Sequence, residues 1–483
     1  MRSSPEMRAR ILASENRKWW TLGAVAFGLF MIMLDNTVVN VALPAIQRDL
    51  KIGVSELEWV VNGYALTFAV LMLTGGKLAD MLGRRRMFIV GLAIFTGASL
   101  ACGLAGSAGF LIGARIVQGA GSALMNPATL SIITATFPPR QRGMAIGIWA
   151  GVSAMALAIG PLLGGILTQQ ISWGWIFFVN VPVGILAILV ARIAIDESRD
   201  TSREQKLDLP GLLTSAVGLF ALTYGLIEAN KYGWTSGRIL GLFALCALAL
   251  AVFVVIEMRS RLPMLDLSLF RNPTFAGANL VMLLVALAMF GVFFFVSLYM
   301  QNVLGYSPTQ AGAAFLPMTV LIVLIAPIAG KLSDRIGSRW LMGTGMILVS
   351  ASLLIFSRLG LGSSFWHIFP GLIVGGLGMA LTMTPTTAAA MGSVAIDKAG
   401  VGSAVLNSMR QVGGSLGIAL MGAIVVSYVS VPAKSPQALP QFVDGLQHAL
   451  LVAAAIAFVS AVVAVTLVRQ MRPAPETALA EAA

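Results

Sequence analysis

Two charged side chains sit deep in apolar sequence, Asp35 within the run 19–43 and Arg115 within the run 109–136. Removal from water disfavours an ionised carboxylate, while a guanidinium within reach favours it again. A carboxyl held between these influences can bind and release a proton as water access changes. That is the minimum equipment for proton coupling, and an ionisable group at such depth is by default a functional one. The alternative is a static buried pair that fixes helix packing. Asp35 lies about eight residues, or about 12 Å, from the end of its run, and Arg115 about six residues from the same side. Of the 20 acidic residues, Asp35 alone is expected so far inside.

Other polar groups share these segments. Asn36 and Asn40 flank Asp35, and Gln118 lies one turn after Arg115. The asparagines serve either as pocket ligands or as interhelical hydrogen bonds. Arg410, with Asn407 before it and Gln411 and Gly413-Gly414 after it, is a second buried cation. No carboxylate lies deep in the C-terminal half to neutralise it, so it either sets the field of a central cavity or completes a packing network. Met289, Phe290, Phe293, Phe294, Phe295, Tyr299 and Met300 fall in one run. Adaptable apolar side chains suit a promiscuous pocket, and such a run equally faces lipid or other helices. The substrate-cavity candidates are Asn36, Asn40, Gln118, Met289, Phe293, Asn407 and Arg410.

Several chemistries are disfavoured. Gly75-Gly76-Lys77 is followed by Leu78 rather than Ser or Thr, so there is no Walker A loop, and no His-Glu-x-x-His or cysteine metal cluster occurs. No cofactor or metal is expected. Cys102 and Cys246 lie in apolar runs and are not expected to pair. His367 and His448 have no metal-ligand company and read as structural.

The elements that must position these groups are membrane helices. The 483 residues are 58% hydrophobic and 11% charged, with mean hydropathy +0.88, against about 25% charged in a soluble domain. A bilayer core of about 30 Å takes roughly 20 apolar residues per helix. Candidate spans fall at 19–43, 58–79, 87–106, 109–136, 142–168, 173–195, 209–228, 238–257, 275–300, 309–330, 340–358, 364–390, 400–430 and 446–468. With both termini cytoplasmic, the inside segments hold 24 Lys and Arg and the outside loops six, as the positive-inside rule requires. This distribution accounts for the net charge of +12 without a nucleic-acid partner. The charge-mixed stretch 192–208 reads as a solvated loop.

The chain repeats itself. Gly76-Lys77-Leu78-Ala79-Asp80-Met81-Leu82-Gly83-Arg84-Arg85 recurs 254 residues later as Gly330-Lys331-Leu332-Ser333-Asp334-Arg335-Ile336-Gly337-Ser338-Arg339. Ile116-Val117-x-Gly119-x-Gly121 recurs as Ile373-Val374-x-Gly376-x-Gly378. The offset takes about eight helices, so two six-helix bundles related by a parallel repeat flank an inserted pair. The expected domains are 1–200, 201–270 (the inserted pair), 271–470 and a cytoplasmic tail 471–483. Asp80 can accept from a helix N-terminus or pair with Arg84. Each hairpin is either a gate latch or a basic loop that obeys the topology rule.

These residues resemble the major facilitator superfamily, specifically its fourteen-helix drug:proton antiporters, over nearly the whole chain. Gly76 to Arg86 is similar to the family's loop motif. Leu34-Asp35-Asn36-Thr37-Val38-Val39-Asn40-Val41-Ala42-Leu43-Pro44 looks like the first-helix motif of the fourteen-helix group. Arg115-Ile116-Val117-Gln118-Gly119-Ala120-Gly121 is similar to the fourth-helix arginine motif. Gly160-Pro161-Leu162-Leu163-Gly164-Gly165 is similar to the fifth-helix motif associated with antiport. Leu372 stands where the second half would repeat Arg115, and Ser338-Arg339-Trp340 replaces the Arg84-Arg85-Arg86 run.

The resemblance implies an all-α integral membrane protein of the bacterial-type inner membrane. It implies a monomeric proton-driven exporter of lipophilic, cationic compounds that touches membrane lipids and works by alternating access. Asp35 and Arg115 would couple the proton, and Gly76, Asp80, Gly83, Arg84, Arg85, Asp334 and Arg339 would form the cytoplasmic gate. Export of an endogenous metabolite, peptide or lipid is the alternative. A membrane-embedded enzyme or sensor, and uptake by symport, stand further off.

Overall fold

A computed structural model describes residues 14–199, 208–260, 263, 265–394, 399–431 and 435–469. Arg2, Arg8 and Arg10, the centre of the 192–208 stretch, Lys398, Lys434 and the 471–483 tail lie outside the described residues. The described residues form fourteen long helices and no strand. These are α1 Ser14–Leu50, α2 Val54–Leu82, α3 Arg84–Gly103, α4 Ala108–Thr136, α5 Pro139–Gln170, α6 Trp175–Ala194, α7 Leu209–Tyr232 and α8 Gly237–Arg259. After a short 3-10 turn come α9 Pro273–Asn302, α10 (Pro308–Ala314 and Leu316–Ile336), α11 Ser338–Phe356, α12 Phe365–Gly392, α13 Ala399–Tyr428 and α14 Ala438–Leu467. Thirteen are long and apolar enough to cross a membrane, and α5, at 32 residues, completes the set. In hydrocarbon a helix is the form that satisfies its own backbone. Several ends are closed by side chains, as where Ser107, Asp208, Ser236 and Asn272 each accept from the first turn that follows.

Two boundaries differ from expectation. α1 continues through Pro44 to Leu50, because the polar turn after the apolar run is still helical. Asp35 therefore lies 15 residues from that end, about 22 Å rather than 12 Å. α14 begins at Ala438, eight residues ahead of the apolar run, since Gln441, Asp444 and Gln447 lower hydropathy without breaking a helix.

The repeat is visible in the packing. α1 lies on α5 and α6 as α9 lies on α13 and α14, while α4 seats α2 and α3 as α12 seats α10 and α11. The glycine echo lies at these contacts. A Cβ on Gly121 would fall 2.6 Å from the Phe95 nitrogen, and one on Gly378 would fall 2.7 Å from the Val349 nitrogen. Each faces a second glycine, Gly91 or Gly345, whose carbonyl oxygen would lie 2.8 Å away. Only glycine lets the backbones approach so closely.

The two bundles meet along α2–α13, α5–α10 and α1–α9. The antiport-like motif lies in this seam. Gly160 and Gly164 abut Thr37 and Val38 of α1, while Gly165 abuts Pro308 and Pro161 abuts Gly312. Gln301 Nε2 donates to Val41 O at 2.8 Å, and Thr309 N donates to Gln169 Oε1 at 3.2 Å. These contacts lie at the end of the molecule opposite the two repeated hairpins, so the seam is closed there. α7 pairs with α8 and lies against both α13 and α2. α9 is buried on every side from Gly291 to Met300, with Phe293 and Phe315 rings 5.2 Å apart and Met289 fully enclosed. Its aromatic run faces other helices rather than lipid.

The close packing carries a test. Gly121→Ala should lower the melting temperature in detergent, because overpacking against backbone costs about 1–3 kcal/mol. Gly113→Ala on the same helix, where nothing lies within 4 Å of the new methyl, should leave it unchanged. Equal melting temperatures would remove the close-approach argument.

Candidate functional site

Asp35 and Arg115 are brought together in the N-terminal bundle, and both are fully buried. Arg115 Nη1 donates to Asp35 Oδ2 at 2.5 Å and to Gln118 Oε1 at 2.7 Å, and its Nε donates to Val60 O at 3.0 Å. Gln118 Nε2 donates to Asp35 Oδ1 at 2.9 Å and to Ser99 Oγ at 2.8 Å. Cys102 Sγ lies 3.7 Å from Gln118 Oε1. Both oxygens of Asp35 are thus held by donors from α4. Tyr64 lies with its ring 4.3 Å from the guanidinium carbon, and its hydroxyl meets Ser122 Oγ at 2.9 Å. A fork-shaped cation suits this site, since one Lys ammonium could not reach a carbonyl, a carboxylate and an amide in fixed directions at once.

Sequence reasoning found Asp35 and Arg115 but placed Gln118 on a cavity wall. Gln118 is instead the link between the pair and α3, with no exposed surface. Tyr64, Ser99, Cys102 and Ser122 were not foreseen, and their uncharged side chains gave no signal in an apolar run. Asn36 and Asn40 are partly buried. Their amides donate back to Ile32 O and Asn36 O within α1, and Asn40 Oδ1 is buried without a hydrogen-bond partner. Asn407 likewise donates to Ser403 O. Arg410 Nε and Gln411 Nε2 are buried without hydrogen-bond partners. Asp35 is not the only deep acid: Glu58, 1% exposed, and Glu257, 3% exposed, are also buried. Both stand at the polar edges of apolar runs, where a hydropathy window reads them as boundary residues.

The first hairpin is tied from two sides. Asp80 Oδ1 accepts from Arg84 Nε at 3.0 Å. Gly83, at φ 117°, turns the chain between α2 and α3, and a Cβ there would fall 2.5 Å from the Glu197 carboxylate. Glu197 accepts from the backbone nitrogens of Arg85 and Arg86 at 3.1 and 3.2 Å, a negative cap on the first turn of α3. Arg17 pairs with Asp196. The start of the 192–208 stretch is therefore an anchored strap rather than a solvated loop. These partners lie more than 100 residues from the hairpin, so no local pattern reveals them. In the second hairpin Gly337 also has positive φ, 86°. Ser338 replaces Arg84, and its hydroxyl meets Ser333 Oγ at 2.7 Å. Arg339 lies 5.1 Å from the Trp340 ring, and the side chain of Asp334 lies outside the described residues. The histidines are structural: His367 Nδ1 accepts from Ser364 N, and His448 stacks on Tyr428 at 4.6 Å.

Comparison with known proteins is consistent with this architecture. The family model described as Major Facilitator Superfamily matches residues 25–417 and 278–483. The chain is 39% identical over 418 residues to the tetracenomycin C resistance and export protein of Streptomyces glaucescens, covering 86% of this chain and 77% of that one. It is 37% identical over 462 residues to a puromycin resistance protein of Streptomyces alboniger, covering 94% and 91%. Among solved structures, an inward-facing, unoccupied bacterial homologue of the human lysosomal transporter Spinster superposes with a TM-score of 0.68 at 18% identity, covering 98% of this chain and all of that one. With relatives this similar and a family model spanning most of its length, the chain belongs to the major facilitator superfamily.

Proposed function

We propose that the protein is a proton-coupled exporter of lipophilic compounds, working by alternating access in a bacterial-type inner membrane with both termini cytoplasmic. The observation that carries this reading is Asp35, fully buried at mid-helix with both oxygens held by Arg115 and Gln118. The network answers a single question, whether the Asp35 carboxylate is charged. Protonation of Asp35 would cancel its pairing with Arg115 and leave the guanidinium to Gln118, the Val60 carbonyl and the Tyr64 ring. A change of partner at this point would alter how α1 packs on α4, and α1 also lies in the seam through Val41. The resistance and export functions in the names of the relatives support outward movement of small molecules.

In proteoliposomes, Asp35→Asn should lose uphill, pH-driven export by at least tenfold while still binding cargo and equilibrating it downhill. Uphill export at the normal rate would remove Asp35 from the coupling step. Arg115→Lys should lose export as well, because an ammonium cannot keep all three contacts.

A specific observation favours a cargo other than a cation. Arg410 Nε is buried without a hydrogen-bond partner, and no carboxylate among the described residues pairs with Arg410. Such a group would repel a cationic cargo and welcome an anionic or electron-rich one, including an endogenous metabolite of that kind. Purified protein should then bind a lipophilic anion in preference to a cation of similar size, and Arg410→Gln should abolish that preference.

The first hairpin acts in this scheme as the gate at the cytoplasmic end. The partly exposed Asp80–Arg84 pair is worth about 0.5 kcal/mol to stability. Asp80→Asn should therefore leave the melting temperature nearly unchanged and still slow turnover severalfold. An unaltered turnover would leave the hairpin a topological loop only.

A further inference from the structure

The mechanism above does not use Glu58. This carboxyl stands in the first turns of α2, at the end of the molecule opposite the hairpins, and is 1% exposed. Its Oε2 is buried with no hydrogen-bond partner. Gly422 of α13 lies directly on it, and a Cβ at 422 would fall 1.9 Å from Glu58 Oε1. One turn further along α2, Asn62 is fully buried with both amide atoms unpartnered. The inserted pair closes the same place from the side. Asn230 of α7 donates to the carbonyl of Ala423, the residue after Gly422, and Trp59 lies 5.7 Å from Phe220 and 6.0 Å from Tyr224. Glu228, also on α7, is the charged group that acts on Glu58 through space, and its own Oε2 is ion-paired with Lys231.

We infer that Glu58 is a second proton-binding site, which holds one proton when the α2–α13 seam is closed and gives it up to water when the seam opens. A carboxylate without donors, sealed under the backbone of another helix, does not stay ionised. The closed seam strips water from Glu58, so closing takes a proton from solution and opening returns it. The inserted helices thereby gain a role, because α7 supplies the clamp on Ala423.

The surrounding charges do not supply the missing partner. Lys231 of α7 is engaged by Glu228, with its Nζ 3.7 Å from Oε2 at the exposed rim. Glu56 of α2 caps the Gly53 nitrogen. Arg238 of α8 bonds the Tyr224 hydroxyl and covers Tyr232. On α13, which meets Glu58 at a glycine, Arg410 lies twelve residues away and Tyr428 six. On α4, Arg115 is engaged by Asp35.

The test uses the full chain in detergent without cargo. Spin labels on Gln170→Cys and Asn302→Cys, exposed ends of α5 and α9 on either side of the seam, report its width, and both native cysteines are buried. The distance should lengthen as pH rises. In Glu58→Gln it should stay short at every pH, and the infrared band of the protonated carboxyl should weaken. In Glu228→Gln the opening should shift to lower pH, because a like charge that strengthened proton binding is gone. Glu58→Asp should keep a transition, which guards against a misfolded glutamine variant. Asp35→Asn should keep it too. An unchanged transition in Glu58→Gln overturns the proposal. A transition lost in Asp35→Asn and retained in Glu58→Gln would overturn it as well, while leaving the coupling role of Asp35 intact.

Discussion

A guanidinium with no access to water must be neutralised where it stands, and the N-terminal bundle is arranged around that requirement. Arg115 takes a carboxylate from α1, a carbonyl from α2, an amide from its own helix and an aromatic face from α2. Removing any one partner leaves a buried charge short of donors or acceptors, a loss that typically costs several kcal/mol. Three helices are thus fixed relative to one another by one side chain. The same demand makes the site responsive, since the single partner able to change charge, Asp35, is the one that balances it.

Close helix packing is the second condition. Water stays out of the network because backbones meet at Gly121 and Gly91, and at Gly119 against the Tyr64 carbonyl. The C-terminal bundle keeps this geometry with Gly378, Gly345 and Gly376, the last set against the Met318 carbonyl. It has dropped the chemistry, for Leu372 and Met318 occupy the places of Arg115 and Tyr64 at the same offsets. Duplication has preserved the contact surfaces that define the fold and freed the side chains between them. One bundle holds the ion pair, and the other holds an unpaired arginine.

What was legible in the sequence follows from this division. Runs of apolar residues and the hairpin repeat gave every helix to within several residues, because length and hydropathy are local properties. Asp35 and Arg115 were legible because a charge in hydrocarbon has no trivial reason to be there. Gln118 was misplaced, since an amide looks the same in a cavity and in a network. Glu58, Glu197 and Asp196 were missed for a different reason. Each lies at the polar margin of a span, where charges are expected, and each is meaningful only through a partner far away in the chain.

The closed end of the seam shows why such marginal residues matter in a protein that must open. Inside a bundle, contacts can be dry and permanent. In the proposed alternating-access cycle every contact across the seam is broken, so the seam cannot rest on a large apolar surface alone. The groups found there fit that need. Glycines at 165, 312 and 422 allow backbone approach with little side chain to disengage, and Gln301 and Thr309 make single hydrogen bonds that water can replace. Glu58 differs from these in kind, because water reaching it changes its charge rather than replacing a bond. A seam built from exchangeable contacts around one titratable group can be closed firmly and still be opened by proton loss. The cost of opening then depends on pH, which an apolar interface of the same area could not achieve.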